Sequence, residues 1–218
     1  MRYIYFHIFL SFLLFSNGIQ AQKPLNNNTD YRQGFYTHIN QFQQNKPAAL
    51  LSQLRNFDYE LNAEENVLIL SLETQKQLDS LFGKEIWGIC VDGIPYILTQ
   101  DSQKGRPYFV KLHVIGKLCY FYYKAFRDKE VTMYVHNPYT GEKIGQKNIT
   151  NKELVAIQRI LHFETGETTD FNLANMQAWT KDDAGLNKSL MEMKKSEVED
   201  KLFKTLLIYN DRNPVYSK

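Results

Sequence analysis

The clearest pattern along the chain is an alternation of residue types around the dipeptide Asp92-Gly93. This dipeptide favours a type I′ turn, because both of its positions need positive φ. The segment Glu85–Thr99 is therefore predicted to form a β-hairpin in which Val91 pairs with Ile94. In that register one face carries Trp87, Ile89, Val91, Ile94, Tyr96 and Leu98, and the other carries Ile86, Gly88, Cys90, Pro95, Ile97 and Thr99.

A second hairpin is predicted over Pro107–Ala125, with its turn at Gly116-Lys117. Glycine in the first position suits a type II′ turn, and this turn pairs Ile115 with Leu118. One face is then hydrophobic and is expected to face the core; it carries Tyr108, Val110, Leu112, Val114, Cys119, Phe121, Tyr123 and Ala125. The opposite face mixes cations with aromatic rings and carries Phe109, Lys111, His113, Ile115, Leu118, Tyr120, Tyr122 and Lys124.

The rest of the chain predicts more strands, followed by helices. Further strands are expected at Val67–Leu72, Val131–His136, Leu154–Phe163 and Thr168–Phe171, a short helix at Thr37–Phe42, and a helical or irregular segment at Thr74–Phe82. Near the C-terminus, a helix capped by Asp170 or Asn172 should reach Trp179, and a longer helix should run from Leu186 to Tyr209. This order predicts an α+β fold, in which an antiparallel sheet of hairpins is packed by C-terminal α-helices.

The N-terminus has the three parts of a secretory signal peptide. Arg2 supplies the positive charge, Tyr3–Phe15 the apolar run, and Ala21 a small residue for cleavage. The alternative is a retained N-terminal anchor, but the run is shorter than the about 20 residues that span a bilayer. We therefore expect a signal peptide at residues 1–21, a flexible tail at 22–33 and a single domain at 34–218. The protein is expected to be exported, whether periplasmic, on the cell surface or extracellular.

Composition narrows the possible partners. Removing the signal peptide lowers the formal net charge from +2 to +1, so the mature chain has no global attraction for nucleic acid. No second apolar run is long enough to cross a membrane. The chain contains 14 tyrosines and 14 phenylalanines, which favours a sheet because aromatic side chains fit a pleated surface.

Several short segments resemble small secreted proteins of uncharacterised function from Bacteroidetes-type bacteria. The matching segments are Gly34-Phe35-Tyr36, Asn45-Lys46-Pro47, Ile86-Trp87-Gly88-Ile89-Cys90, Pro95-Tyr96-Ile97, His113-Val114-Ile115-Gly116-Lys117 and Glu164-Thr165-Gly166-Glu167. A signal ending in Ala21-Gln22 and a charged terminal helix fit as well. Such proteins have no established activity, so the resemblance implies export and no mechanism.

The residues that could carry metal or acid–base chemistry form no recognised motif. The mature chain holds His38, His113, His136 and His162, without metal-ligand spacing. A site made of the last three would require the fold to bring separate strands together. Asp182-Asp183 is interpreted as a helix cap and Glu64-Glu65 as a solvated pair. No cofactor and no metal is expected.

The two cysteines of the chain, Cys90 and Cys119, are flanked by apolar residues and are expected to be small buried hydrophobic residues. A disulfide is possible outside the cytoplasm. The two predicted registers place the thiols on opposite faces if both hairpins share one sheet, which argues against a bond. A reversed face on the first hairpin would remove that argument.

The candidate ligand-binding surface is the mixed face of the second hairpin, with Lys111, His113, Tyr120, Tyr122 and Lys124. Aromatic rings beside cations can stack on sugars, bind peptides or pair with anions. The alternative is that a later strand or helix covers this face. The sequence thus predicts a non-catalytic binding module of the cell envelope or extracellular space with a protein or glycan partner. A secreted hydrolase with a dispersed active site is the alternative function.

Overall fold

The structure is a computed structural model that describes residues 23–83, 85–103 and 106–217. The predicted signal peptide lies outside the described residues. The strands are β1 (Pro24–Leu25), β2 (Gly34–Tyr36), β3 (Ala49–Leu50), β4 (Tyr59–Asn62), β5 (Val67–Leu70), β6 (Gly88–Val91), β7 (Ile94–Gln103), β8 (Arg106–Val114), β9 (Leu118–His136), β10 (Lys143–His162), β11 (Thr168–Asp170) and β12 (Val215–Tyr216). The helices are α1 (Ile39–Gln43), α2 (Leu72–Phe82), α3 (Leu173–Trp179), α4 (Ala184–Met191) and α5 (Val198–Arg212), with 3-10 turns at Leu51–Gln53 and Lys195–Glu197.

Ten of these strands form one antiparallel sheet, which confirms the predicted α+β class. Eight lie side by side in the order β11-β10-β9-β8-β7-β6-β2-β3, and β4 joins through β5, which pairs with β8. The short strands β1 and β12 pair with each other. The C-terminal helices α3, α4 and α5 pack on one face of the sheet, as the order of elements predicts.

Both faces of the sheet are buried over its central part. The inner face forms one cluster with the N-terminal segment and α1; this inner cluster includes Tyr31, Tyr36, Phe42, Cys90, Val110, Cys119, Phe121 and Phe163. The outer face carries two clusters, one against α2 around Phe35, Leu68, Leu78, Ile89 and Phe109, and one under the C-terminal helices around Leu118, Tyr120, Ile160, Leu202 and Leu206. Because both of their faces are buried, the central strands need hydrophobic residues on both sides.

The first hairpin has the predicted turn and register. Val91 pairs with Ile94, and Asp92 and Gly93 both have positive φ, 52° and 74°. Ile89, Val91 and Tyr96 lie in the outer cluster against α2, whereas Cys90 and Ile97 lie in the inner cluster. Trp87 departs from the alternation, because it precedes β6 and packs on Phe42 in the inner cluster.

The second hairpin follows the predicted register only as far as a bulge in β8. Leu112 pairs with Phe121, but the register shifts before Val114, which pairs with Tyr120. The extra residue reverses the alternation. Ile115 consequently lies in the inner cluster and Val114 packs against the C-terminal helices, the opposite of the prediction.

The bulge is held by the segment that the sequence predicted to be a loose tail. The side-chain amide of Asn27 donates to the His113 carbonyl at 2.6 Å, and its oxygen accepts from the Ile115 N–H at 2.7 Å. Tyr31 and Leu25 from the same segment are buried in the inner cluster. The tail prediction for residues 22–33 is therefore wrong for the described part, because this segment satisfies backbone groups that the bulge leaves unpaired.

The strands β9 and β10 are far longer than predicted. The sequence placed the end of the second hairpin at Ala125 and a separate strand at Val131–His136, but β9 runs without a break from Leu118 to His136. Its partner β10 begins at Lys143, well before the predicted start at Leu154. Their register is continuous from Leu118 opposite His162 to Val135 opposite Gly145.

The predicted C-terminal helix is interrupted. Helix α4 ends at Met191, and Lys194 is extended, with ψ 148°, before α5 begins at Val198. The hydrophobic residues predicted to share one helix face nevertheless pack together under the outer face: Leu190, Met193, Val198, Leu202, Leu206 and Tyr209. The N-terminal end of α3 agrees with the prediction, since Asn172 caps it by accepting from the Asn175 N–H.

Helix α5 is attached to the sheet by the side chain of Asn210. Its oxygen accepts from the Leu118 N–H and its amide donates to the Leu118 carbonyl, both at 2.9 Å. Gly116 allows this approach, because a Cβ at that position would collide with the side-chain amide of Asn210. The amide thus acts as a strand partner at the point where β9 begins.

We expect Asn210→Ala to lower the free energy of unfolding by about 1–3 kcal/mol, because it leaves two partly buried backbone groups of Leu118 without partners. Gly116→Ala should also destabilise the fold, and less so in the Asn210→Ala background, where the steric conflict is gone. Urea denaturation of the two single variants and the double variant measures this coupling. Asn151→Ala on the exposed part of β10 is the control; equal effects at Asn151 and Asn210 would contradict the assignment.

Candidate functional site

The five residues predicted to form a ligand-binding face lie together on the outer face of β8 and β9. Lys111, His113, Tyr122 and Lys124 are partly exposed, whereas Tyr120 is only 9% exposed. The ring of Tyr120 lies 5.1 Å from the rings of both Phe171 and Phe203, and burial raises its pKa. The C-terminal helices therefore cover one end of the predicted face and leave the other end partly open.

The open end is organised by Asn66, in the turn between β4 and β5. Asn66 has a φ of 60°, a conformation that asparagine tolerates well. Its amide donates to the Tyr122 carbonyl at 2.7 Å and lies 2.9 Å from His113 Nε2. The His113 ring stacks on Tyr122 with a centroid distance of 4.5 Å. The name root cluster is used here for five residues that lie where β9 leaves the sheet: Asn66, Lys111, His113, Tyr122 and Lys124.

His113 is held in its neutral form. Since the Asn66 amide already donates to an acceptor oxygen, the nitrogen facing it must accept, which assigns the imidazole proton to Nδ1. Partial burial, followed by the nearby charge of Lys111, lowers the pKa of His113 below its usual 6.5. Protonation at Nε2 would break the hydrogen bond from Asn66.

Beyond the root cluster, β9 and β10 continue as a two-stranded projection. The Lys124 N–H donates to the Glu65 carbonyl at 2.9 Å, and the only strand that pairs with β9 from Ala125 to His136, within the described part of the chain, is β10. The projection, named the ribbon arm here, comprises residues 126–154. At about 3.4 Å per residue, the strand segment Phe126–His136 is about 34 Å long.

The ribbon arm exposes an unusual amount of hydrophobic surface. Among the residues that the structure describes, it carries six of the fifteen exposed large hydrophobic residues, which decides where a binding surface is to be sought: Phe126, Met133, Tyr134, Val135, Tyr139 and Ile144. The tip is a compact loop in which the Asn137 N–H donates to the Glu142 carbonyl and the Gly141 N–H to the Asn137 carbonyl, each at 2.8 Å. Tyr139 in this loop is 95% exposed.

The two faces of the ribbon arm differ in chemistry. Val131, Met133, Val135 and Ile149 continue the inner face, with Lys129 paired to Glu153 at 2.7 Å nearer the body. The other face has Thr132 bonded to Asn148 and Lys143 above the ring of Tyr134, 3.7 Å from its centroid. Cross-strand pairs of this kind hold the ribbon together without a covering layer.

Sequence reasoning missed the ribbon arm as a unit, although part of its signal was present. Val131, Met133 and Val135 alternate with polar residues, and Asn137-Pro138 with Gly141 marks a turn. The run Arg127-Asp128-Lys129-Glu130 reads as a break, because charged residues on successive positions leave no hydrophobic face. That run is strand because it pairs with β10, and its charged residues are tolerated because both of its faces meet solvent.

The histidines proposed as a possible metal site do not meet. His162 pairs with Leu118 at the base of the β9–β10 hairpin and His136 with Lys143 at its far end, so about 60 Å of strand separates them. His113 belongs to the root cluster. Within residues 23–83, 85–103 and 106–217, no group of three histidine, cysteine or acidic side chains could hold a metal ion.

Both cysteines are buried free thiols on the same, inner face of the sheet. The prediction that the two thiols lie on opposite faces is therefore wrong, although the thiols are unbonded. Cys90 donates to the Tyr31 carbonyl at 3.5 Å and Cys119 to the Gly116 carbonyl at 3.4 Å. Burial raises the pKa of both thiols to about 12, so the reactive thiolate is strongly disfavoured.

The carboxyl groups whose pKa is shifted are ion-paired rather than poised for proton transfer. Partial burial opposes the shift at Asp182, but hydrogen bonds from Lys117 and Tyr209 lower its pKa. The Leu186 N–H and Arg212 lower the pKa of Asp183, which caps α4 as predicted. A general acid requires a pKa near the working pH, so these groups do not favour the hydrolase alternative. Glu65, predicted to be solvated, is only 7% exposed.

Comparison with known proteins returns no relative. No protein-family model matches the chain, and no curated protein and no solved structure is significantly similar to it. A search of the described residues for a helix with the length and apolarity to span a membrane finds none.

We expect the stability of the wild-type protein to fall as the pH drops below about 6.5, partly because of His113. Its pKa is lower in the folded state, so the unfolded chain binds the proton first and gains stability relative to the native state. His113→Gln, which cannot titrate but keeps an acceptor, should lose less stability between pH 7.5 and 5.5. Urea denaturation at both pH values tests this; identical pH dependence in the two proteins would contradict it.

Proposed function

We propose that the protein is an exported, non-catalytic binding module whose partner-binding surface is the ribbon arm. One observation carries the proposal: residues 126–154 form a two-stranded ribbon with both faces exposed and with a concentration of uncovered hydrophobic side chains. A ribbon of this kind is marginally stable in water. Exposed hydrophobic residues grouped on one element are typical of interaction sites.

A protein partner suits the ribbon arm better than a glycan does. Its strands offer N–H and C=O groups along open edges, and another polypeptide can pair with such an edge by β-augmentation. The exposed tyrosines Tyr134 and Tyr139 add large apolar contact area at low cost in side-chain entropy. The root cluster, with half-exposed Lys111 and Lys124, lies at the base of the same surface and can contribute charged contacts.

Export is supported by the sequence pattern of residues 1–21 and by the resemblance to small secreted proteins. The buried free thiols are compatible with either redox environment, because neither is exposed to an oxidant or a reductant. Export and partner binding are the two parts of the proposal, and each part has its own test. Recovery of a chain that begins at Gln22 from the extracytoplasmic fraction would support the first part, and a cytosolic chain that retains Met1 would refute it.

We expect a photoreactive amino acid at Tyr134 to give cross-linked products in intact cells, whereas the same residue at Tyr216 gives none. The two tyrosines are similarly exposed, at 53% and 43%, but only Tyr134 lies on the ribbon arm. Mass spectrometry of the product identifies the partner. Equal products at both positions, or none at Tyr134, would refute the arm as the binding surface.

A shortened arm provides a second test. Replacing residues 130–150 by Asn-Gly joins Lys129 to Asn151, which face each other on β9 and β10, through a two-residue turn. The change should alter the free energy of unfolding by less than about 1 kcal/mol, because the removed residues lie outside the core. Urea denaturation measures this; a cooperative loss of the whole fold would show that the ribbon arm is structural.

A further inference from the structure

The hydrogen-bonding pattern of β9 identifies which backbone groups of the ribbon arm point away from β10. At the base, the outward groups are the Tyr122 carbonyl, which accepts from Asn66, and the Lys124 N–H, which donates to Glu65. In an antiparallel pair, outward and inward residues alternate, and the register with β10 contains no shift from Leu118 to Val135. The outward residues of the arm are therefore even-numbered: Phe126, Asp128, Glu130, Thr132 and Tyr134.

The side chains distinguish the edge of β9 from that of β10. The segment Val131–Val135 on β9 has no charge and is rich in residues with high β-propensity. The facing segment of β10, Gly145–Ile149, is mostly polar and includes Lys147. Charged and polar residues protect an open edge from pairing. The β9 edge is the one suited to another strand.

We propose that β9 of one molecule pairs antiparallel with β9 of a second copy, about a two-fold axis at Met133. This inference rests on the proposed function, since it names the partner of the ribbon arm. In this register Met133 lies opposite its own copy, Val131 opposite Val135, and Thr132 opposite Tyr134. The outward groups of Thr132 and Tyr134 then exchange hydrogen bonds, as an isologous contact requires.

Charge excludes the registers whose two-fold axis lies closer to the body. An axis at Asp128 would place Arg127 opposite Lys129 and Asp128 opposite its own copy, and an axis at Lys129 or Glu130 would also oppose like charges. With the axis at Met133, the run Arg127–Glu130 lies opposite His136–Tyr139, which contains no acidic residue, lysine or arginine. The charged run thus prevents pairing closer to the body and leaves the uncharged segment available.

Pairing also removes the instability of an isolated ribbon. Two arms joined through β9 form a four-stranded sheet, above the three strands that usually hold together in water. Val131, Met133, Val135 and Ile149 of both copies then lie on one continuous face. The body of each molecule stays at the outer end of the joined sheet, so the two cores do not interfere.

Single cysteine variants test the register. Met133→Cys should form an intermolecular disulfide on mild oxidation, because non-hydrogen-bonded residues opposite each other bring Cβ atoms within bonding distance. Val131→Cys and Val135→Cys should form few disulfides alone and a mixed dimer when combined. The native Cys90 and Cys119 do not compete, since both are fully buried. Equal disulfide yields from Val131→Cys alone and from the mixture would overturn the register.

A matched pair of proline variants tests which edge of the arm forms the dimer, that of β9 or that of β10. Thr132 and Asn148 face each other on the arm, and each presents its N–H outward, on the β9 and the β10 edge respectively. Proline at an outward position is tolerated in an edge strand but cannot donate. Thr132→Pro should weaken dimerisation at least about tenfold in sedimentation equilibrium, whereas Asn148→Pro should leave it unchanged. The reverse result, or equal effects, would overturn the assignment to β9.

The outcomes separate this inference from the proposed function. A wild-type chain that remains monomeric up to about 1 mM, but cross-links from Tyr134 to a different protein, overturns self-pairing and leaves the binding module in place. A wild-type dimer that persists in the variant with a shortened arm also overturns self-pairing through β9. The expected result is a dimer that requires residues 130–150 and cross-links from Tyr134 to a second copy.

Discussion

The structure depends on the division of one edge of β8 between two partners. Near its C-terminal end this edge pairs with β9, at Leu112 and Val114, and nearer its start the same edge pairs with β5, from Tyr108 to Val110. One edge can hold only one strand at each position, so β9 must leave the sheet where β5 begins. The Glu65 carbonyl and the Asn66 amide close this junction. The ribbon arm is the direct consequence, because β9 carries β10 with it.

The same division separates a buried half of β9 from an exposed half. The half of β9 beside β8 is buried on both faces, so its side chains are committed to the inner cluster and to the C-terminal helices. Cys119 and Tyr120 belong to this half and are packed in the core instead of being exposed to solvent. The half beyond Lys124 contributes little to the core and retains open edges and uncovered apolar groups. The recognition surface of the proposed function is therefore a strand edge.

Local signals in the sequence predicted the local structure correctly. The turn at Asp92-Gly93, the cap of α3 at Asn172 and the cap of α4 at Asp183 depend on a few adjacent residues, and the structure confirms them. The predictions that failed depend on distant residues. The bulge at His113 is stabilised by Asn27, and the burial of Tyr120 by Phe171 and Phe203. The ribbon arm was not predicted as a unit because the charged run Arg127–Glu130, exposed on both faces, has no hydrophobic period.

The sequence by itself determined the class of the fold: alternation and turn residues specify antiparallel hairpins, and helical spacing specifies the C-terminal helices. It also determined that residues 131–135 prefer an extended conformation without charge. Only the tertiary structure decided which of two hydrophobic faces each strand buries, where β9 leaves the sheet, and that both cysteines lie on one side of it. Each of these outcomes depends on distant segments that compete for the same strand edge or the same core. No single segment therefore encodes it.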